Sequence, residues 1–155
     1  MKASKFFGSV LLSIISMASN ADTAQEIRDV VLANMAHTNK NLSQDPMRIS
    51  SAGSKEFFSS GGLLNTITRN AGVSDFEYFS GTVKHIEVVV LVEGQAAVAH
   101  YYQEASRKPK GLPAGPNYRT RVTQAFAKED GMWRIKAAHW SPLQGGAGTS
   151  QTVVK

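Results

Sequence analysis

Residues 118–142 read Y-R-T-R-V-T-Q-A-F-A-K-E-D-G-M-W-R-I-K-A-A-H-W-S-P. Two strand-like runs flank Lys128-Glu129-Asp130-Gly131. Asp-Gly between such runs is a strong hairpin signal, because Gly131 accepts the positive φ that a tight turn requires. The spacing predicts a loop of Glu129-Asp130-Gly131 with a bulge at Gly131, so that Lys128 pairs with Met132. Trp133 then lies beside Ala127, Ile135 beside Ala125, Ala137 beside Thr123, and His139 beside Arg121. One face of the hairpin grades from apolar at the turn to polar at the far end, as a pocket with a buried floor and a polar mouth would. A two-residue loop instead shifts every pairing by one and separates Arg121 from His139.

Upstream, Lys84–Val92 and Ala96–Glu104 flank Glu93-Gly94-Gln95, a second glycine-bearing hairpin turn. Phe76–Val83 is a shorter strand with Gly81 as its bulge position. Arg107–Asn117 is a loop rich in Pro and Gly. Before these strands the period changes. Asp22 or Thr23 caps a helix in which Ile27, Val30, Val31, Asn34 and Met35 share one face. Pro46 keeps Asp45 out of a helix, and Met47–Ser51 adds a turn. Ser54 caps a second helix with Phe57, Phe58, Leu63, Leu64 and Ile67 as its apolar positions. Gly61-Gly62 weakens or splits it. Helices followed by an antiparallel run of strands define an α+β class.

The 155-residue chain suits a single domain. Residues 1–21 have the three parts of a secretory signal peptide: Lys2 and Lys5, the apolar run Phe6–Met17, and small residues at Ser19-Asn20-Ala21. The apolar run is too short to span a bilayer, and no Cys follows it for a lipid anchor. The expected organisation is a cleaved signal peptide at 1–21, a folded domain at 22–143 and a flexible tail at 144–155. The expected location is periplasmic or secreted, with no membrane association after cleavage. Without Lys2 and Lys5, the 17 basic residues become 15 against 12 acidic ones, a balance of +3. So mild and scattered a charge argues against a nucleic-acid partner. The absence of Cys excludes disulfides, thiol nucleophiles and thiolate metal sites. His37, His85, His100 and His139 lack ligand spacing, so no metal is expected. With no phosphate-binding glycine loop or serine-nucleophile motif, no cofactor is expected either.

The order of elements, closing on Arg121, Val122, Thr123, Phe126, Lys128, Asp130, Gly131, Trp133, Ile135, His139 and Ser141, resembles the nuclear transport factor 2-like superfamily. Within it the chain is most similar to the SnoaL-like group and to the association domain of calmodulin-dependent kinase. Ala96-Ala97-Val98-Ala99-His100-Tyr101 adds a second match. The resemblance implies a cone, with helices packed on a curved antiparallel sheet, a pocket at the wide end and a homodimer formed through the outer sheet face. Its members include isomerases, dehydratases, cyclases and assembly domains, so activity has to come from the site.

The expected ligand-binding residues are Arg121, His139, Ser141, His100 and Tyr102, with His139 the candidate catalytic group. His139 titrates near neutrality and suits acid, base or donor work; a structural role at the sheet end is its alternative. Arg121 offers a bidentate contact to a carboxylate or enolate, or else a surface ion pair. His100 and Tyr102 share a strand face with Val98 and line the same pocket. Tyr101 and Trp140 then point away from it, into packing or an interface. Among the acids, Glu26, Asp29, Asp45, Asp75, Glu77, Glu87, Glu104 and Asp130 include no evident catalytic base. The reading is an exported domain that binds a small organic ligand. Its rivals are a lyase, isomerase or cyclase using His139, and a protein-interaction module acting through the outer sheet face.

Overall fold

The computed structural model describes residues 22–143. The signal peptide expected at 1–21 and the tail expected at 144–155 lie outside them. Helix α1 (Thr23–Asn41) is followed by a single 3-10 turn (Pro46–Arg48) and six strands: β1 (Ser54–Phe57), β2 (Asn65–Ile67), β3 (Phe76–Val92), β4 (Ala96–Pro109), β5 (Gly115–Glu129) and β6 (Met132–Pro142). They form one open mixed sheet in the order β2-β1-β6-β5-β4-β3. Only β1 with β6 is parallel among these pairs.

Helix α1 starts as its sequence dictates, with the Asp22 side chain accepting from the Ala24 N–H. It ends at Leu42, which takes the left-handed conformation and donates its backbone N–H to the Thr38 carbonyl. Ile27 and Val31 are its fully buried apolar residues. They meet Ala97, Ala99, Val122, Phe126 and Ile135 from the concave sheet face. Gly81 brings the helix closer still. A Cβ there would sit 2.7 Å from the Phe79 ring and 2.9 Å from the Met35 sulfur. The Asn39 side chain bonds both the N–H and the C=O of Gly81. Gly81 pairs in register with Ala105 and is not a bulge.

Two expectations for the middle of the chain change. The second helix does not form; Ser54–Ile67 supplies β1 and β2 instead. Its apolar positions are largely outside, with Leu63 88% exposed, while Ser54 and Glu56 are buried in a period-two pattern. Gly61 and Gly62 both take positive φ, which ends any helix between the two strands. Phe76–Val92 is one strand rather than two, and one of its three register shifts falls between Lys84 and Glu87, where His85 has φ 52°.

The closing hairpin has the two-residue turn. Asp130 and Gly131 both have positive φ (50° and 77°), and Glu129 pairs with Met132. Phe126 then pairs with Ile135, but Ala125 pairs with Ala137, so Lys136 is an extra residue on β6. That bulge reverses the parity of everything after it. Trp133 and Ile135 point inward before it; Ala138 and Trp140 point inward after it. His139 consequently lies beside Thr123 and Arg121 beside Ser141.

Candidate functional site

A cavity of about 280 Å³ opens between α1, the concave sheet face, β1 and the segment around the 3-10 turn. Val31, Met35, Phe76, Phe79 and Val83 give it apolar walls, and Arg48, Glu56, Tyr101, Gln103, Gln124 and Trp140 give it a polar end. Ser59, Arg107 and Tyr118 stand where the cavity adjoins a second groove. There the Arg107 guanidinium stacks 3.5 Å above the Tyr118 ring, and the Tyr118 and Ser59 hydroxyls are 2.8 Å apart.

The polar end is built from five elements. Arg48 closes the 3-10 turn, whose start is capped by the Asp45 side chain accepting from the Met47 N–H. Its segment is held from outside. The Arg69 Nε donates to the Ile49 carbonyl, an Arg134 guanidinium N–H donates to the Met47 carbonyl, and Glu129 accepts from Ser50 and Ser51. Glu56 enters from β1, which β6 holds in parallel register through Glu56 beside Ala138. Tyr101 on β4 and Gln124 on β5 are joined by a hydrogen bond of 3.0 Å, the phenol donating to the amide oxygen. Trp140 on β6 donates its indole N–H to one Glu56 oxygen over 3.4 Å.

This end carries two buried charged side chains. Arg48 is 8% exposed and Glu56 2%. Burial lowers the Arg48 pKa, opposed chiefly by the negative charge of Glu56. Burial drives the Tyr101 phenol pKa upward, so Tyr101 keeps its proton through the neutral range. The Arg48 Nε and the second Glu56 oxygen have no hydrogen-bond partner.

None of the five expected site residues lines the cavity. Arg121, His139, His100 and Tyr102 are exposed on the outer sheet face, and Ser141 is half-buried there. The His100 Nδ1 is 3.0 Å from the Thr123 hydroxyl. His139 meets the Phe57 ring edge-on at 5.8 Å, and Tyr102 meets His85 at 5.9 Å. Arg121 donates to the Pro142 carbonyl over 3.4 Å. Registry does bring them together, as Tyr102 beside Arg121 beside Ser141 and His100 beside Thr123 beside His139. Tyr101 and Trp140, expected to point outward, face the cavity instead.

Sequence reading missed Arg48, Glu56, Gln103 and Gln124. For Glu56 a signal was present: Ser54-Lys55-Glu56-Phe57 alternates, but the apolar run behind it mimics a helix face. For Arg48 there was none.

No protein-family model and no curated protein matches the chain. Solved structures do. A nuclear transport factor 2-like superfamily protein from Salmonella enterica superposes at TM-score 0.59 with 19% identity, over 83% of this chain and 96% of its own. A candidate scytalone dehydratase from Novosphingobium aromaticivorans gives 0.60 with 16% identity, over 82% and 88%. A candidate calmodulin-dependent kinase II association domain from Exiguobacterium sibiricum gives 0.53 with 11% identity, over 78% and 93%. The chain thus has the nuclear transport factor 2-like fold, an α+β cone. Identities this low carry the fold and no activity.

Proposed function

We propose that the chain is an exported domain that binds a small organic molecule in its cavity and pairs with a second copy through its outer sheet face. One observation carries the binding reading. Arg48, Glu56, Tyr101 and Gln124 converge on one cavity that Val31, Met35, Phe76, Phe79 and Val83 also line. Apolar walls with a few convergent polar groups are the usual anatomy of a small-molecule site. The pattern of residues 1–21 supports export. Self-pairing is supported by the row Val89, Val98, Ala125 and Ala137, which runs in register across the outer face of β3, β4, β5 and β6. On this face Glu104 lies between Lys84 at 2.7 Å and Arg119 at 4.0 Å, a mixed-charge border to the apolar row.

The test is native mass spectrometry of mature protein purified from its own host, followed by denaturing extraction. A stoichiometric small molecule is the expected result. Empty protein under conditions that preserve weak complexes defeats the reading.

A second reading, acid–base chemistry of the lyase, isomerase or cyclase type, draws on Glu56. It is a buried carboxyl that lines the cavity together with the protonated Tyr101 phenol. His139 does not enter it, because the Lys136 bulge turns that side chain to the outer face. Turnover of an extracted ligand that is lost in Glu56→Gln would establish it; intact ligand recovered after incubation would dismiss it.

A further inference from the structure

The binding reading leaves the chemistry of the ligand open, and the mouth of the cavity narrows it. At the polar end the charges of Arg48 and Glu56 oppose each other. The mouth has no such balance. Arg107 lines both the cavity and the adjoining groove. It pairs in register with Phe79, so it shares the concave face with the apolar wall. Its guanidinium lies 3.5 Å above the Tyr118 ring, which covers one flat face and leaves the N–H edge for bonds in the guanidinium plane. No carboxylate stands within 4.0 Å of Arg107 among the described residues. Asp75 and Glu77, beside the start of β3, are taken by Lys110 and Lys108. The groove itself is lined by Arg107 and Arg119 and, among the described residues, by no Asp or Glu. Arg119 is 4.0 Å from Glu104, which leaves Arg107 as the cation of the mouth that no acid offsets. Two hydroxyls add a donor. The Tyr118 and Ser59 oxygens are 2.8 Å apart, and whichever donates to the other, the second keeps its proton for another acceptor. Tyr118 and Met35 both pack on the cluster of Phe76, Phe79 and Ala105, so this donor set adjoins the apolar wall directly.

We infer that the cavity takes an organic monoanion, a carboxylate set on an apolar body, with its charged group at the mouth. Arg107 receives the two carboxylate oxygens on paired N–H donors, the geometry in which a guanidinium fork fits a carboxylate. The Tyr118 or Ser59 hydroxyl donates to the same group, and the apolar body lies inward against Met35, Phe76 and Phe79. A neutral ligand forgoes the charge-assisted bonds, and a cation is repelled by Arg107.

This rests on the cavity-binding reading, and the experiment separates the two. Three probes share one ring system and differ in charge: 2-naphthoate, 2-naphthamide and 2-naphthamidine, titrated calorimetrically into the mature protein at pH 7. Naphthoate is expected to bind best, by about tenfold over the amide, with the amidine weakest. Arg107→Gln is expected to bring naphthoate down to the level of the amide while the amide's own affinity stays within about twofold. Arg107→Met keeps an unbranched stem against Tyr118 without the charge, and it is read in the same way where the Gln variant fails to give the wild-type circular dichroism spectrum. An amide or amidine that matches naphthoate in the wild type overturns the ligand class while the cavity reading stands. A naphthoate preference that survives the loss of Arg107 overturns the assignment of the anion to the mouth. Failure of all three probes to bind also overturns the class. The cavity reading itself falls only with an empty native mass spectrum.

Discussion

Replacing Glu129 by Gln should loosen the segment that holds Arg48 at the cavity. The Glu129 carboxylate accepts from the Ser50 hydroxyl at 2.5 Å, the Ser51 N–H at 3.0 Å, the Ser51 hydroxyl at 3.1 Å and the Lys136 ammonium at 2.9 Å. The Ser50 hydroxyl, the Ser51 N–H and Lys136, in that order, lower its pKa from 4.5 to about 2. The folded state therefore holds this proton less tightly than the unfolded state. Its contribution is complete above about pH 4.5 and is lost as pH falls towards 2. A displacement of that size bounds the contribution at about 3 kcal/mol, and solvent around a carboxylate on the surface reduces it to about 2. For a domain of this length about 2 kcal/mol corresponds to a melting temperature lower by about 8 °C. Gln keeps one acceptor but turns an NH₂ group towards donors, so it does not restore the site. Thermal unfolding by circular dichroism should show that gap at pH 7 and a narrowing gap between pH 5 and pH 3. A melting temperature within about 2 °C of wild type at pH 7, or a gap indifferent to pH, would refute the reasoning.

Gly81→Ala should destabilise by about 1–2 kcal/mol, because its Cβ meets the Phe79 ring and the Met35 sulfur closer than 3.0 Å. A lower urea midpoint at unchanged slope is expected, and an unchanged midpoint would show that the two side chains yield freely. Tyr101→Phe should leave the ultraviolet tyrosinate signal at pH 11 unchanged, since the Tyr101 phenol is still protonated there. Loss of about a quarter of that signal, one of four tyrosines, would contradict the burial argument. Ala125→Arg, placed in the apolar outer row, should convert the proposed dimer to monomer in sedimentation velocity without changing the circular dichroism spectrum. A wild-type chain that is monomeric at 100 times dilution or at about 0.1 mM alike would remove the outer face as a self-pairing surface.

Local rules settled much of this protein. The Asp22 cap, the Ile27 and Val31 stripe, and the Asp130-Gly131 turn are decided by neighbours within a few residues, and all are readable in order along the chain. The α+β class follows from them, as does the run of strands from Phe76 to Pro142. What stayed hidden depends on contacts between residues far apart. Ser54–Phe57 is a strand because β6 offers it a parallel edge, although the Phe57, Phe58, Leu63, Leu64 and Ile67 spacing suits a helix as well. The Lys136 bulge has the same origin. Its ammonium reaches back to Ser50 and Glu129, and the extra residue turns His139 outward and Trp140 inward. A strand has a side-chain period of two, so one inserted residue exchanges its faces. The sequence by itself determined helix α1, the strands after Phe76 and the place of the closing turn, but not the register of that hairpin. Only the tertiary structure decided that Arg48, Glu56, Tyr101 and Gln124 share the cavity, because a buried polar site is assembled from segments whose separation in sequence says nothing about their distance in space.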